Sequence, residues 1–287
     1  MTDARLMHWL IATDLDGTLL DDGYPIEAAA AAIDSLSGLP PVAGGTVTLQ
    51  VVLATSKTLA EGVQLAGQCE SQPMLAFENG AGLAWPTAAC ARRGTHRQDG
   101  YEIECTGTDY GDIRDTLLRL RVKPEYRFRG FGDMSPAEVA KRTGLDEDAA
   151  AAAMQRMASE PLIWQGSAAA LRSFERDLDD LGLNLDLGGR FHHVTGRGNK
   201  AGAVAAIRQR LACVRQGAIV TLACGDAPND VEMLRTADFA LVFPGRNGAY
   251  VLPEDAAIRH ASGAGPDAWL KCVSRVIQSN SPEVDST

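Results

Sequence analysis

Continuous apolar runs, separated by segments with helical spacing, dominate the first part of the chain. Residues 9–13, 47–54 and 74–77 are mainly apolar and do not alternate with polar positions. Such uninterrupted runs are typical of strands buried on both faces of a parallel sheet. Helices are predicted between these apolar runs. The first is an alanine-rich segment from about 26 to 37, and the second runs to about 69, with Thr55 and Ser56 as its candidate N-caps. Strand, helix, strand, helix, strand predicts an α/β fold.

The same pattern returns near the C-terminus. A helix is predicted from residue 201 to about 214, followed by apolar runs at 218–223 and 239–243 and by a polar tail after residue 277. The segment between the two apolar parts has a different character. It predicts a half-exposed strand at 101–106, helices near 112–121, 136–143, 147–159 and 169–181, a strand at 162–164, and a hairpin at 185–194 that turns at Gly188 and Gly189.

This contrast predicts two domains, of which one is inserted into the other. Residues 1–84 and 196–287 form a Rossmann-like α/β core with a parallel sheet. Residues 85–195 form an inserted α+β domain whose sheet has one open face. Because the two halves of the core flank the insertion, the length of 287 residues gives the number of domains but not their order.

The charge and the composition exclude several classes of function. The formal net charge is −10, which argues against nucleic acid or an anionic membrane as a partner. No apolar stretch is long enough to span a membrane, and the first apolar run is too short for a signal peptide. The six cysteines include no CxxC pair, so we expect reduced, mostly buried thiols in a cytoplasmic protein.

Polar side chains cluster where the predicted strands end, and the ligand sites of open parallel sheets lie at that edge. These residues are Asp14 and Asp16, Thr55 and Ser56, Lys200 at a helix start, and Asp226, Asn229 and Asp230. A carboxylate can attack a phosphate as a nucleophile if a cation such as Mg²⁺ reduces the repulsion. A second carboxyl can act as acid and base, while a hydroxyl and a lysine hold the phosphate oxygens.

These segments resemble, in order, the four motifs of the haloacid dehalogenase (HAD) phosphatase superfamily. The motifs are Asp14-Leu-Asp-Gly-Thr18, Ser56, Lys200 and Gly225-Asp-Ala-Pro-Asn-Asp230, and the insertion lies where members with a large C2-type cap carry theirs. The resemblance implies that Asp14 is the nucleophile and Asp16 the general acid and base, and that Ser56 and Lys200 bind phosphate. It implies Mg²⁺ as the cofactor, ligated by Asp14, the Asp16 carbonyl and Asp226, with Asn229 and Asp230 supporting the site.

Further segments resemble the mannosyl-3-phosphoglycerate phosphatase family within this superfamily. They include Ser56-Lys-Thr58, Glu78-Asn-Gly80, 128–135, Ser159-Glu-Pro161 and 189–196. The resemblance implies hydrolysis of 2-O-mannosyl-3-phosphoglycerate, or of its glucosyl analogue, to a compatible solute and phosphate. Candidate substrate-binding residues are Lys57, Asn79, Gly80, Arg156, Ser159, Arg190 and His192. A small phosphorylated glycoside is therefore the expected partner, and the oligomeric state is open.

Three alternatives stay open from the sequence. The chain is compatible with another capped sugar phosphatase, for sucrose phosphate or glucosylglycerol phosphate, or with a phosphomutase. It is also compatible with a phosphosugar-binding regulator, although all acidic, hydroxyl and lysine positions of the motifs are present. Lys57 is equally compatible with a surface role, and His192 with a packing role.

Overall fold

The computed structural model describes residues 7–21, 25–38, 47–87, 96–187 and 191–280. These residues form thirteen strands and nine α-helices. The strands are β1 (Met7–Thr13), β2 (Val47–Ala54), β3 (Met74–Phe77), β4 (Gly82–Pro86), β5 (His96–Gln98), β6 (Tyr101–Cys105), β7 (Phe128–Gly130), β8 (Ser159–Trp164), β9 (Leu183–Leu187), β10 (His192–Gly196), β11 (Ala218–Gly225), β12 (Phe239–Val242) and β13 (Ile258–His260). The helices are α1 (Ile26–Ser35), α2 (Leu59–Ala66), α3 (Tyr110–Leu120), α4 (Pro136–Thr143), α5 (Glu147–Ala153), α6 (Ala168–Asp180), α7 (Lys200–Val214), α8 (Val231–Thr236) and α9 (Pro266–Asn280).

The chain divides into two compact units. The first unit contains the described parts of Met1–Ala54, Gln64–Met74 and Lys200–Thr287, and the second contains Thr55–Val63 and Leu75–Asn199. The second unit therefore holds the predicted insertion together with the segments around Ser56 and Glu78. The assignment of residues 85–195 as a separate cap domain stays a prediction.

The first unit is built on a parallel sheet. Its strands lie in the order β13-β12-β11-β1-β2, and every neighbouring pair among them is parallel. The middle strand β1 carries Trp9, Leu10 and Ile11, all fully buried, as an apolar strand covered on both faces requires. Trp269 of α9 is also fully buried, and its indole N–H donates to Thr13 Oγ1 over 2.9 Å. The prediction of an α/β fold with a parallel sheet is confirmed.

The second unit contains antiparallel strands and helices. β3, β4, β6 and β5 follow one another in a ladder, and β7, β8, β10 and β9 form a separate four-stranded sheet. Helices α3 and α6 pack on one face of that sheet through residues such as Leu117, Leu162 and Phe174. The neighbouring Ile163 instead packs against a smaller cluster around Phe131. Apolar side chains therefore cover part of the face that was expected to be open.

Several predicted elements differ from the structure. The first turn of α2 is capped by Thr58 and not by Thr55 or Ser56: Glu61 N–H donates to Thr58 Oγ1 over 3.2 Å, and Thr58 N–H donates to the Glu61 carboxylate over 2.9 Å. The helix predicted at 147–159 ends at Ala153, and its last residues lead into β8. The polar tail predicted after residue 277 is in part the last turn of α9. The turn at Gly188 and Gly189 lies outside the described residues.

The cysteines are less buried than predicted. Among the described residues Cys69 and Cys224 are buried, Cys272 is half-buried, and Cys105 and Cys213 are exposed; all five are free thiols. Cys90 lies outside the described residues. Within the described ranges, every helix is too short or too polar to cross a bilayer.

Candidate active site

Three carboxylates meet in the first unit where two neighbouring parallel strands end. Asp14 follows β1 and Asp226 follows β11, and the Asp14 N–H donates to the carbonyl oxygen of Cys224 over 2.9 Å. One carboxylate oxygen from each of Asp14, Asp226 and Asp230 lies within 4.8 Å of the others. The strand ends thus bring together residues that are more than two hundred positions apart in the sequence.

Lys200 lies among these carboxylates at the first residue of α7. Its side chain is 1% exposed, and Nζ donates to Asp14 Oδ1 over 2.6 Å and to Asp230 Oδ1 over 2.7 Å. Burial alone would lower the pKa of this ammonium group, but Asp14 and Asp230 hold it above its usual range. Lys200 is therefore a buried cation that fixes two of the three carboxylates.

The pKa values of Asp14 and Asp226 are raised, in part because the carboxylates of the cluster repel one another. Burial raises the pKa of Asp14 well above its usual range; Lys200 opposes the rise, whereas Asp230 and Asp226 add to it. Burial and the Asp230 charge raise the pKa of Asp226 to about 6. Three carboxylates and one ammonium leave uncompensated negative charge, and carboxylate oxygens are the ligands that Mg²⁺ prefers. The donor set therefore fits a divalent cation.

The three carboxylates differ in how many oxygens the protein already engages. Asp230 is fully buried, and its second oxygen accepts hydrogen bonds from the N–H groups of Asp226 and Ala227 over 3.2 and 3.1 Å. Because donors reach both oxygens of Asp230, it is better placed to support the site than to ligate. Asp226 accepts from Thr18 Oγ1 over 3.2 Å. Asp14 and Asp226 are then the stronger candidates for direct metal contact.

Two glycines permit this close packing. Gly17 has a φ of +88°, and a Cβ atom on it would lie 2.5 Å from Asp226 Oδ2. A Cβ on Gly225 would lie 2.5 Å from the Cβ of Asp230. Real Cβ atoms do not approach this closely, so both positions require glycine. These two glycines and Thr18 were not among the predicted site residues, although the first and last motifs contain them.

Asp16 and Asn229 occupy the turns beside the cluster. Asp16 is exposed in the turn after Asp14, and Asn229 is half-buried in the short turn Pro228–Asp230. Among the described residues, the carboxylate group that meets in space comprises Asp14, Asp226 and Asp230 and does not include Asp16. The predicted metal contact of Asp16 is through its backbone carbonyl, so it remains a prediction, as does the supporting role of Asn229.

Ser56 lies in the second unit, in a segment held by its backbone. The carbonyl oxygens of Thr55 and Lys57 accept hydrogen bonds from the N–H groups of Asn79 and Glu78, each over 2.9 Å. Ser56 itself is half-buried, and Lys57 lies 3.7 Å from the Glu61 carboxylate in an ion pair.

The turn that supplies these N–H groups has an uncommon backbone. Glu78, Asn79 and Gly80 have φ values of +51°, +58° and +87°, and all three residues are buried. Left-handed conformations in two consecutive non-glycine residues are sparsely populated and mark positions that the surrounding structure must enforce. The predicted substrate residues Asn79 and Gly80 therefore belong to a rigid turn.

Glu78 is a buried carboxylate that the prediction of site residues left out. It is fully buried and accepts hydrogen bonds from the N–H groups of Met157 and Ala158 over 2.8 and 2.9 Å, and from Ser159 Oγ over 2.6 Å. The acidic residue in the quoted Glu78-Asn-Gly80 segment was the available signal, but its partners lie about eighty positions away.

Arg156 and Ser159, predicted to bind substrate, make their contacts within the protein. The Arg156 side chain is 5% exposed, and its Nη1 donates to the carbonyl oxygen of Ser56 over 2.8 Å and to Ser159 Oγ over 3.3 Å. Ser159 is fully buried. His192 is half-buried at the start of β10, where burial lowers its pKa against an opposing effect of Glu175. Arg190 lies outside the described residues.

Comparison with known proteins finds curated relatives and similar solved structures. No model of a known protein family matches the chain. The curated glucosyl-3-phosphoglycerate/mannosyl-3-phosphoglycerate phosphatase of Methanococcoides burtonii is 32% identical over 283 residues, covering 96% of this chain and 99% of the relative.

Solved structures of two HAD proteins share the fold. A haloacid dehalogenase-like hydrolase from Bacteroides thetaiotaomicron is 16% identical with a TM-score of 0.60, covering 94% of this chain and 99% of its own. A HAD subclass IIB sugar phosphatase is 16% identical with a TM-score of 0.56, covering 94% of this chain and 98% of its own. The fold is thus that of the capped HAD hydrolases, an α/β core with an inserted α+β cap. Since the identity to the relative from Methanococcoides burtonii extends over nearly all of both chains, this chain belongs to the family of the glucosyl-3-phosphoglycerate/mannosyl-3-phosphoglycerate phosphatases and is a phosphoric monoester hydrolase.

Proposed function

We propose that the protein is a Mg²⁺-dependent phosphatase of 2-O-mannosyl-3-phosphoglycerate or its glucosyl analogue. Its products are mannosylglycerate or glucosylglycerate, as compatible solutes of the cytoplasm, and inorganic phosphate. The observation that carries the proposal is the buried cluster of Asp14, Lys200 and Asp230 beside Asp226, in a chain that is 32% identical to a relative whose name contains both substrates.

Asp14 is the proposed nucleophile. One of its carboxylate oxygens forms a bond to phosphorus while the bond from phosphorus to the glycerate oxygen breaks, which leaves an aspartyl-phosphate and an alkoxide. The nucleophile must be ionised although burial raises its pKa. Lys200 Nζ, 2.6 Å from Asp14 Oδ1, stabilises the ionised form.

Asp16 is the proposed general acid and base. In the first step its carboxyl group donates a proton to the leaving alkoxide. In the second step its carboxylate takes a proton from water, and the water oxygen attacks the phosphorus and releases Asp14 and phosphate. The exposed position of Asp16 in the turn after Asp14 supports this role, because the group must exchange protons with water.

Asp14 and Asp226 would hold Mg²⁺, with the carbonyl of Asp16 as a further ligand and with Asn229 and Asp230 in support. When bound, Mg²⁺ reduces the repulsion between an anionic nucleophile and a phosphate dianion. Lys200 and the Ser56 hydroxyl are the proposed ligands of the phosphate oxygens. Lys57, Asn79, Gly80, Arg190 and His192 remain the candidate contacts to the rest of the substrate.

A substrate panel tests the proposal. Phosphate release is measured from mannosyl- and glucosyl-3-phosphoglycerate, sucrose 6-phosphate and glucosylglycerol phosphate, each with Mg²⁺ and with a chelator. We expect kcat/KM for one or both glycosyl-3-phosphoglycerates to exceed the others by orders of magnitude, and only with Mg²⁺. Equal, slow release from all four would contradict the substrate assignment and leave the phosphatase chemistry intact.

The Asp14→Asn variant tests the nucleophile. An amide cannot form the aspartyl-phosphate, so turnover should fall by orders of magnitude, as removal of a covalent catalyst does in other enzymes. The fold should persist, because asparagine has the size of aspartate. Thermal unfolding reports the fold independently of turnover. Substantial residual activity in a folded variant would remove Asp14 as the nucleophile.

A further inference from the structure

Three consecutive backbone carbonyls, those of Thr55, Ser56 and Lys57, each accept a hydrogen bond. The carbonyls on either side of Ser56 are held by the N–H groups of Glu78 and Asn79, and the Ser56 carbonyl is held by Arg156 Nη1. The backbone donors come from the turn with positive φ values, while the donor to Ser56 itself comes from a side chain a hundred positions away. The carbonyl of Ser56 thus accepts its hydrogen bond from the Arg156 side chain, whereas the carbonyls on either side of it accept theirs from the turn.

All three nitrogen atoms of the Arg156 guanidinium lie near other groups of the protein. Nε donates to the carbonyl oxygen of Ala153 over 2.8 Å, Nη1 reaches both Ser56 and Ser159, and Nη2 lies 4.0 Å from the Glu61 carboxylate. With 5% of its side chain exposed, little of this group is accessible. An arginine that binds a substrate carboxylate needs accessible donors, usually two in parallel.

Glu78 fixes the segment that carries Arg156. Its carboxylate accepts hydrogen bonds from the next two backbone N–H groups, those of Met157 and Ala158, and from the Ser159 hydroxyl. The backbone N–H of the same Glu78 holds the carbonyl of Lys57. One buried residue thus joins the Ser56 segment to the Arg156 segment, by its backbone on one side and by its side chain on the other.

We propose that Arg156 is a positioning residue that acts through Ser56 and is not a ligand of the substrate carboxylate. By holding the Ser56 carbonyl, Arg156 fixes the direction of the Ser56 side chain, and Glu78 fixes Arg156. The inference rests on the proposed function only in taking Ser56 as a phosphate-binding hydroxyl. If Arg156 acts through Ser56, the loss of activity on replacing Arg156 should depend on the phosphate group, which all substrates share. It should not depend on the carboxylate, which only some substrates carry.

Two substrates and a double-mutant cycle test this inference. The variants are Arg156→Ala, Arg156→Lys, Ser56→Ala and the Arg156→Ala/Ser56→Ala pair, with Arg176→Ala as a control at an exposed arginine of the second unit. Each is assayed with mannosyl-3-phosphoglycerate, which carries a carboxylate, and with p-nitrophenyl phosphate, which does not. Because misplacing a reacting group by about 1 Å can reduce rates about a hundredfold, we expect a loss of that order in kcat/KM for Arg156→Ala on both substrates.

The expected result has two parts. Arg156→Ala should reduce kcat/KM by the same factor for both substrates. In the Ser56→Ala background, adding Arg156→Ala should change kcat/KM by no more than about twofold, which is the usual tolerance of a double-mutant cycle. A loss confined to mannosyl-3-phosphoglycerate, or losses that multiply in the double variant, would overturn the inference. If Arg156→Ala fails to fold, Arg156→Lys is subject to the same two criteria.

The outcome is separable from the proposed function. If the wild-type enzyme hydrolyses p-nitrophenyl phosphate but neither glycosyl-3-phosphoglycerate, the substrate assignment fails. The cycle between Arg156 and Ser56 on p-nitrophenyl phosphate still decides whether Arg156 acts through Ser56.

Discussion

Replacing Lys200 by methionine should show how strongly the carboxylate cluster depends on the buried ammonium group of Lys200. Methionine keeps the length of the side chain and removes the charge. Lys200 Nζ lies 2.6 Å from Asp14 and 2.7 Å from Asp230, and the side chain is 1% exposed. At an effective dielectric constant of about 20, each such pair has a Coulomb energy of about 6 kcal/mol before the cost of desolvation. Removing one partner from a buried ion pair typically costs about 3–5 kcal/mol, which is the loss we expect.

The expected loss depends on pH. Without the ammonium group, the pKa of Asp14 in the folded protein should lie still further above its unfolded value. The folded state then binds more protons than the unfolded state, so its stability falls as pH rises through that interval. The defect of Lys200→Met should therefore be smaller at acidic pH than at neutral pH. Mg²⁺ should recover part of it, because a ligand of the folded state stabilises that state.

The assay is urea unfolding in a chelator at several pH values, with Arg208→Met as the matched control. Arg208 lies on the same helix, and its ion pair with Asp238 is 3.4 Å long and about 40% exposed on both sides. Such exposed pairs contribute roughly 0–1 kcal/mol. A loss for Lys200→Met no larger than that of the control, and unchanged with pH, would refute the electrostatic account of the cluster.

Three further predictions follow from other contacts. Gly17→Ala should reduce kcat at least about tenfold, because the added Cβ would lie 2.5 Å from Asp226 Oδ2. The control Gly100→Ala has a similar φ of +82° but lies in open space, so it should leave kcat unchanged. A kcat for Gly17→Ala equal to that of the wild type would contradict the close packing at Gly17. Burial would raise the pKa of Asp133, but hydrogen bonds from two arginines lower it to about 2. The Asp133 carboxylate should therefore contribute about 2 kcal/mol of stability above about pH 4, and this contribution should be lost as pH falls towards 2. In urea unfolding, the difference between wild type and Asp133→Asn should shrink by that amount between about pH 5 and pH 2.5, and a constant difference would argue against it. Chelation should abolish phosphate release and excess Mg²⁺ should restore it, whereas turnover that persists in chelator would show that the carboxylates need no cation.

Local patterns predicted the parallel sheet well. The apolar runs correspond to β1, β2 and β11, because a strand buried on both faces must be apolar at nearly every position. The polar residues that follow β1 and β11 were therefore expected at one edge, and Asp14 and Asp226 do lie together. Helix α9 was not predicted, although Trp269, Val273 and Ile277 repeat every four residues, and the predicted tail after residue 277 covers only its last turn.

The side-chain contacts in the second unit could not be predicted from patterns in the sequence. Glu78 bonds to Ser159, and Arg156 bonds to Ser56, across about eighty and a hundred positions. Neither partner has a periodic or compositional signal, because a buried carboxylate or guanidinium is stabilised by whichever donors and acceptors the fold brings near it. For this reason the sequence suggested Arg156 as a substrate ligand, whereas its observed hydrogen bonds favour a positioning role.

Location of the phosphoryl group during turnover tests the central claim most directly. Wild-type enzyme is mixed with mannosyl-3-phosphoglycerate and Mg²⁺, quenched in acid within one turnover, and digested for peptide mapping by mass spectrometry. The account predicts a phosphoryl group on the peptide that contains Asp14, at the Asp14 side chain, and its absence from Asp14→Asn. A phosphoryl group on another residue, or rapid phosphate release with no phosphorylated peptide at any quench time, would contradict it.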